Sequence, residues 1–99
     1  MKRLIDRKVI EWANERGLIK EENAPKQFIK LTEEVGELAS ALLKKDPHET
    51  IDAIGDINIV LIILCEQLGL DMSECVNSAF EEIKNRKGVL KDGTFIKEV

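Results

Sequence analysis

The 99-residue sequence predicts an all-α fold: four helices in a single domain, residues 1–99, followed by a short hairpin-like tail. Apolar residues recur at helical spacing through four segments. Capping residues, glycine or proline bound each segment. The hairpin signal, Asp92-Gly93 between short apolar runs, falls at the C-terminal end. A chain of this length buries roughly 60–70% of the surface it exposes when unfolded, which leaves no room for a second core.

Residues 2–16 carry Leu4, Ile5, Val9, Ile10 and Trp12-Ala13 at helical spacing, and Gly17 supplies a helix stop. A polar connection, residues 18–24, leads to Asn23 as N-cap and Pro25 in a first turn. The second helix is expected from Pro25 to Lys44, with Phe28, Leu31, Val35, Leu38 and Leu42 as its apolar stripe. Glu34 lies about 80° from the centre of that stripe, Glu37 further round, and Glu33 nearly opposite. Glu34 is therefore best placed for a buried site, Glu37 next, and Glu33 suits a solvated face. Gly36 costs about 1 kcal/mol against alanine inside a helix, so it signals close approach of another helix or a ligand.

Asp46-Pro47-His48-Glu49 starts the third helix, with Asp46 as N-cap, Pro47 at the first helical position and Glu49 closing a capping box. His48 is expected to be exposed. The third helix runs to Leu68 and is apolar nearly all round from Ile57 to Cys65, which suits a central or interfacial helix. Asn58 within it needs a hydrogen-bond partner or faces a ligand. Gly69-Leu70-Asp71 separates it from a fourth helix over 72–87, where Asp71 and Glu74 form a capping box and Val76, Ala79, Phe80 and Ile83 share a side. Lys84, Arg86 and Lys87 close that helix, as suits its dipole. The tail, residues 88–97, is too small to stand alone and should lie against the bundle or a second subunit.

Composition is that of an ordinary globular chain: 43% hydrophobic, 34% charged, two prolines. A net charge of −4 argues against a nucleic-acid polymer as partner. The longest apolar run is too short to span a bilayer and the N-terminus lacks a signal-peptide core, so the expectation is a cytoplasmic protein without a membrane role. Cys65 and Cys75, ten residues apart and outside any CxxC pattern, are expected to be buried thiols.

The chemistry concentrates in two segments. Glu34 and Glu37 lie about 60° apart on one helical wheel, and Asp52 and Asp56 about 40° apart on the next. The face carrying Asp52 and Asp56 continues into Ile59 and Ile63, expected to be buried, and carboxylates entering a core stripe are costly unless a positive charge meets them. Four facing carboxylates form the oxygen cage a hard divalent cation prefers, so a Mg²⁺ site between two helices is expected, with Mn²⁺ as a substitute. Glu49, three residues before Asp52, extends the acidic stripe as a secondary ligand. A di-iron bundle would need two Glu-x-x-His pairs, and the chain has one histidine.

Glu33-Glu34-x-x-Glu37, followed by Gly55-Asp56 opening an apolar helix, resembles the MazG-like branch of the all-α nucleoside triphosphate pyrophosphohydrolases, a superfamily that also includes dimeric dUTPases and phosphoribosyl-ATP pyrophosphohydrolases. The resemblance runs from about Trp12 to the Lys-Asp-Gly-Thr-Phe tail. It implies a helical bundle completed by dimerisation, with dimers sometimes paired into tetramers, and Mg²⁺-dependent conversion of a nucleoside triphosphate to monophosphate and pyrophosphate. It puts metal ligation on Glu34, Glu37 and Asp56, with Glu33 as a further ligand or the group that activates water. Where the family usually has a glutamate, three residues before Asp56, this chain has Ala53, and Asp52 or Glu49 would have to substitute.

The expected enzyme is thus a (d)NTP pyrophosphohydrolase. Glu34, Glu37, Asp52 and Asp56 would hold the metal, Glu33 or Glu37 would polarise water, and Lys84, Arg86 and Lys87 would pair with phosphate oxygens. Trp12, Gln27, Phe28 and Asn58 are candidates for the base pocket, Trp12 suiting core packing as well. The alternative is a non-catalytic helical dimer that binds nucleotides or acts as a regulatory module, which Ala53 favours.

Overall fold

The computed structural model describes residues 2–98. It contains four α-helices, α1 (Leu4–Glu15), α2 (Ala24–Lys44), α3 (Pro47–Gln67) and α4 (Met72–Ile83), then an antiparallel pair of strands, β1 (Gly88–Lys91) and β2 (Thr94–Lys97). The all-α expectation with a two-stranded tail holds. A 3₁₀ turn at Glu21–Asn23, which the polar sequence did not signal, leads into α2.

Three helices stop in the same way. The Leu18 N–H donates to Ala13 O at 3.0 Å, the Asp46 N–H to Ala41 O at 3.1 Å and the Leu70 N–H to Cys65 O at 2.8 Å, each wrapping back past the helix end in a Schellman turn. Gly17 and Gly69 supply the left-handed residue in two of them, both at φ 71°. Lys45 does so in the third at φ 56°, a conformation that costs a residue with a Cβ about 1–2 kcal/mol. Asp46 caps α3 as expected, accepting from the Glu49 N–H at 3.0 Å. Asn23 does not cap α2; its amide donates to Leu18 O at 3.2 Å and fastens the connecting segment instead. Asp71 likewise stands at the N-cap of α4 without a side-chain capping bond.

α2 and α3 form a long antiparallel hairpin, and α1 packs on α3. The core lies where Val9 and Ala13 of α1 meet Ile62 and Ile63 of α3, with Leu18, Ile19 and Met72 around them. Gln67, buried beside this core, donates to Leu18 O at 2.9 Å. Arg3 grips Asp6, which is 2% exposed, through Nη2 at 2.8 Å and through its backbone N–H at 3.1 Å. The Arg3 hydrogen bond holds the Asp6 carboxyl below its usual range. That contribution to stability is present above the ordinary carboxylate pKa and is lost as pH falls through the lowered value.

Several expectations are corrected. The stripe of α2 is split: Leu31 and Leu38 turn towards α3, while Phe28, Val35 and Leu42 stay exposed. The buried face is rotated towards Glu34 because, among the described residues, α3 is the one long helix packed against α2. Ile59 is 40% exposed, unlike the buried Ile63. A Cβ added at Gly36 meets nothing within 4 Å, so no helix of the same chain approaches there. α4 ends at Ile83, not residue 87, placing Lys84 at the cap and Arg86 and Lys87 beyond it. α4 buries no residue, and Cys75 on it is exposed, with Cys65 half-buried.

The tail turns through Asp92 and Gly93, both at positive φ, as a two-residue type I′ loop requires. Val89 pairs with Ile96 and Leu90 with Phe95. Adjacent pairs point to opposite faces, so both faces of the ribbon are apolar. It does not pack on the helices of its own chain. Gly88 is required at the base of the ribbon, since a Cβ there would overlap the Ile96 carbonyl and the Phe95 ring. The radius of gyration is 16.1 Å, against about 13 Å for a compact domain of this length.

Candidate metal centre

Helical geometry brings acids of α2 and α3 face to face. One carboxylate oxygen from each of Glu34, Glu37 and Asp56 lies within 4.8 Å of the other two. Glu34 is 5% exposed, Asp56 is half-buried and Glu37 sits at the surface. Lys30, one turn earlier on α2, reaches Glu34 at 3.3 Å and Glu33 at 3.6 Å. The other Glu34 oxygen, Oε2, is buried and accepts no hydrogen bond. One lysine shared between two glutamates therefore leaves the cluster with surplus negative charge and an unused ligand atom.

The protonation behaviour follows. The adjacent Glu34 carboxylate raises the Glu37 pKa, and burial and Asp56 add to the effect. Burial raises the Asp56 pKa, with the charges of Asp52 and Glu34 pushing the same way. Raised values mean that ionising these groups opposes folding. The penalty is absent below the ordinary carboxylate range and grows as pH rises through the raised values. A bound divalent cation reverses that sign, because it favours the charged form.

A cavity of about 330 Å³ opens beside the cluster, between Glu37, Ser40 and Lys44 of α2 and Glu49, Asp52, Ala53 and Asp56 of α3. Asp52 thus faces the same space but lies outside the closest carboxylate set. Ala53 is buried in the wall where the two helices approach, so the carboxylate missing at that position is offered one residue earlier. Glu49 forms an ion pair with Lys44 at 3.8 Å at the cavity's end. A second cavity, about 450 Å³ and mostly apolar, shares Asp56 with the first and is lined by Lys8, Val9, Trp12 and Ile59. Trp12 is 49% exposed, and the Arg16 guanidinium stacks 4.2 Å from its ring centre.

The remaining candidates are dispersed. Glu33 is exposed and, among the described residues, pairs with Lys30 alone. Gln27 donates to Val60 O at 3.3 Å, tying α2 to α3, and Asn58 donates to Ile54 O at 2.8 Å within its own helix, and neither they nor Phe28 line the Trp12 cavity. Lys84 pairs with Glu81, and Lys84, Arg86 and Lys87 line neither cavity. Lys8, Lys30, Ser40 and Lys44 went unnoticed in the sequence. Lys30 was within reach, since it stands three and four residues before Glu33 and Glu34, the spacing of helical ion pairs.

A family model described as the MazG-like family matches residues 29–98. An uncharacterised 18.2 kDa protein from the rep-hol intergenic region of Haemophilus phage HP1 (strain HP1c1) is 44% identical over 61 residues, 62% of this chain. The matched stretch spans 37% of that relative's length. No solved structure matches the chain.

Proposed function

The chain belongs to the MazG-like family, and from that premise we propose that it is a nucleoside triphosphate pyrophosphohydrolase using Mg²⁺, with Mn²⁺ as a substitute. The observation that carries the reading is the set of three carboxylates from two helices, within 4.8 Å of one another and one of them buried with an unused oxygen. That donor set suits a hard divalent cation. Glu34, Glu37 and Asp56 would hold it, with Asp52 offering a further oxygen across the cavity. Bound there, the cation would offset phosphate charge and make water more acidic.

The protein's own groups divide the remaining work. Glu37 lines the open cavity and Glu33 does not, which makes Glu37 the better-placed proton acceptor for the attacking water. A bond forms from the water oxygen to the α-phosphorus, and the bond to the bridging oxygen breaks. Pyrophosphate leaves with that electron pair. Lys44 is the cation already in the cavity for the phosphate chain, which Lys84, Arg86 and Lys87 of the same chain do not line. Trp12 and Ile59 suit a base stacked at the other side of Asp56.

A homodimer is part of the proposal. Phe28, Val35 and Leu42 on α2, Ile51 and Ile54 on α3, and Val76, Phe80 and Ile83 on α4 are exposed together with both faces of the tail. So much uncovered apolar surface suits a permanent partner, and a second copy offers matching patches. Ala53 favours one other reading, a dimer that binds nucleotides without cleaving them. Incubating the protein with each dNTP and Mg²⁺ and assaying pyrophosphate separates them. The enzyme reading predicts metal-dependent product from at least one nucleotide, whereas metal binding with no product from any of them favours the module.

A further inference from the structure

The two cavities share Asp56 in their walls but differ in character. The first carries Glu37, Glu49, Asp52 and Lys44, and suits a metal and a phosphate chain. The second offers Val9, Trp12 and Ile59, the apolar walls that a flat heterocycle needs, and one cation, Lys8. Lys8 stands one turn before Trp12 on the same face of α1. Among the described residues its side chain makes no ion pair or hydrogen bond. A lysine carries three donors and no acceptor, so an ammonium in this wall discriminates by what faces it.

We propose that Lys8 sets base preference, donating to a keto oxygen of the substrate base while Trp12 stacks on its ring. The proposal rests on the pyrophosphohydrolase reading for the identity of the substrate. Guanine O6 and the O4 of thymine or uracil accept a hydrogen bond. The corresponding groups of adenine and cytosine are amino donors, which meet an ammonium unfavourably. The favoured substrates are therefore keto-base nucleotides. Placement beyond Asp56, away from the Lys44 cavity, assigns Lys8 to the base and not to the phosphates.

Lys8→Met keeps the apolar stem and removes the donors. Two readouts are taken for wild type and variant with dGTP, dTTP, dATP and dCTP: kcat/KM with Mg²⁺, and binding followed by the fluorescence of Trp12, the only tryptophan. The wild type is expected to prefer dGTP and dTTP. The variant is expected to lose about tenfold or more on those two, with dATP and dCTP changed little. Equal weakening of all four overturns the proposal by assigning Lys8 to the phosphates, and no change in any of them overturns it too. A wild type that binds nucleotides but releases no pyrophosphate refutes the enzyme reading, while the fluorescence comparison still decides the role of Lys8.

Discussion

Asp56→Asn is expected to lower turnover by on the order of a hundredfold or more while leaving the fold intact. Outer-shell groups around a metal are commonly worth about 10–100-fold, and a direct ligand should cost at least as much. Asp56 also lines both cavities, so its loss touches both halves of the proposed site. The substitution should not weaken the metal-free protein. Burial and the charges of Asp52 and Glu34 already raise the Asp56 pKa, so its ionised form opposes folding at neutral pH. Asparagine removes that charge with little change in shape. The melting temperature of metal-free Asp56→Asn at pH 7 should equal or exceed that of the wild type. Any advantage should fade as pH falls below the ordinary carboxylate range. Pyrophosphate release and thermal melting measure the two halves. Near-normal turnover would remove Asp56 from the mechanism.

Val35→Asp is expected to separate the proposed dimer. Val35 is 50% exposed in the single chain, and its stripe with Phe28 and Leu42 points away from α3. In a lone subunit an aspartate there would face water at little cost. In a two-chain bundle it would bury an unpaired charge, at about 3–5 kcal/mol, enough to weaken association by a hundredfold or more. Sedimentation equilibrium should give a two-chain mass for the wild type and a one-chain mass for the variant. The variant should also melt lower, since an obligate dimer draws stability from its partner. A wild type that sediments as a single chain, with Val35→Asp indistinguishable from it, would contradict the dimer.

The features legible in the sequence are those set by local spacing. Helical periodicity places Glu34 and Glu37 on one side of α2 and Asp56 on the facing side of α3, and the structure brings these three together. Asp92-Gly93 announces the tail's turn because few other pairs accept two positive φ values. The hidden features depend on what packs where. The five-residue stripe of α2 reads as one core face. A single neighbouring helix covers only part of it, and the buried side rotates towards Glu34. Gly36 reads as a contact, yet the space beside it is open within the chain. Lys45 adopts a left-handed turn that no residue preference signals. The Trp12 cavity draws on residues of α1 and α3 more than forty positions apart, a pairing that no local pattern carries.

The central claim, that acids of α2 and α3 share one cation, is tested most directly by titrating Mn²⁺ into nucleotide-free protein and counting bound ions by calorimetry. Wild type, Glu34→Gln on one helix and Asp56→Asn on the other are compared at neutral pH. A shared site predicts saturable binding by the wild type. Either single substitution should weaken it about tenfold or more. Affinity unchanged by both substitutions would contradict the claim.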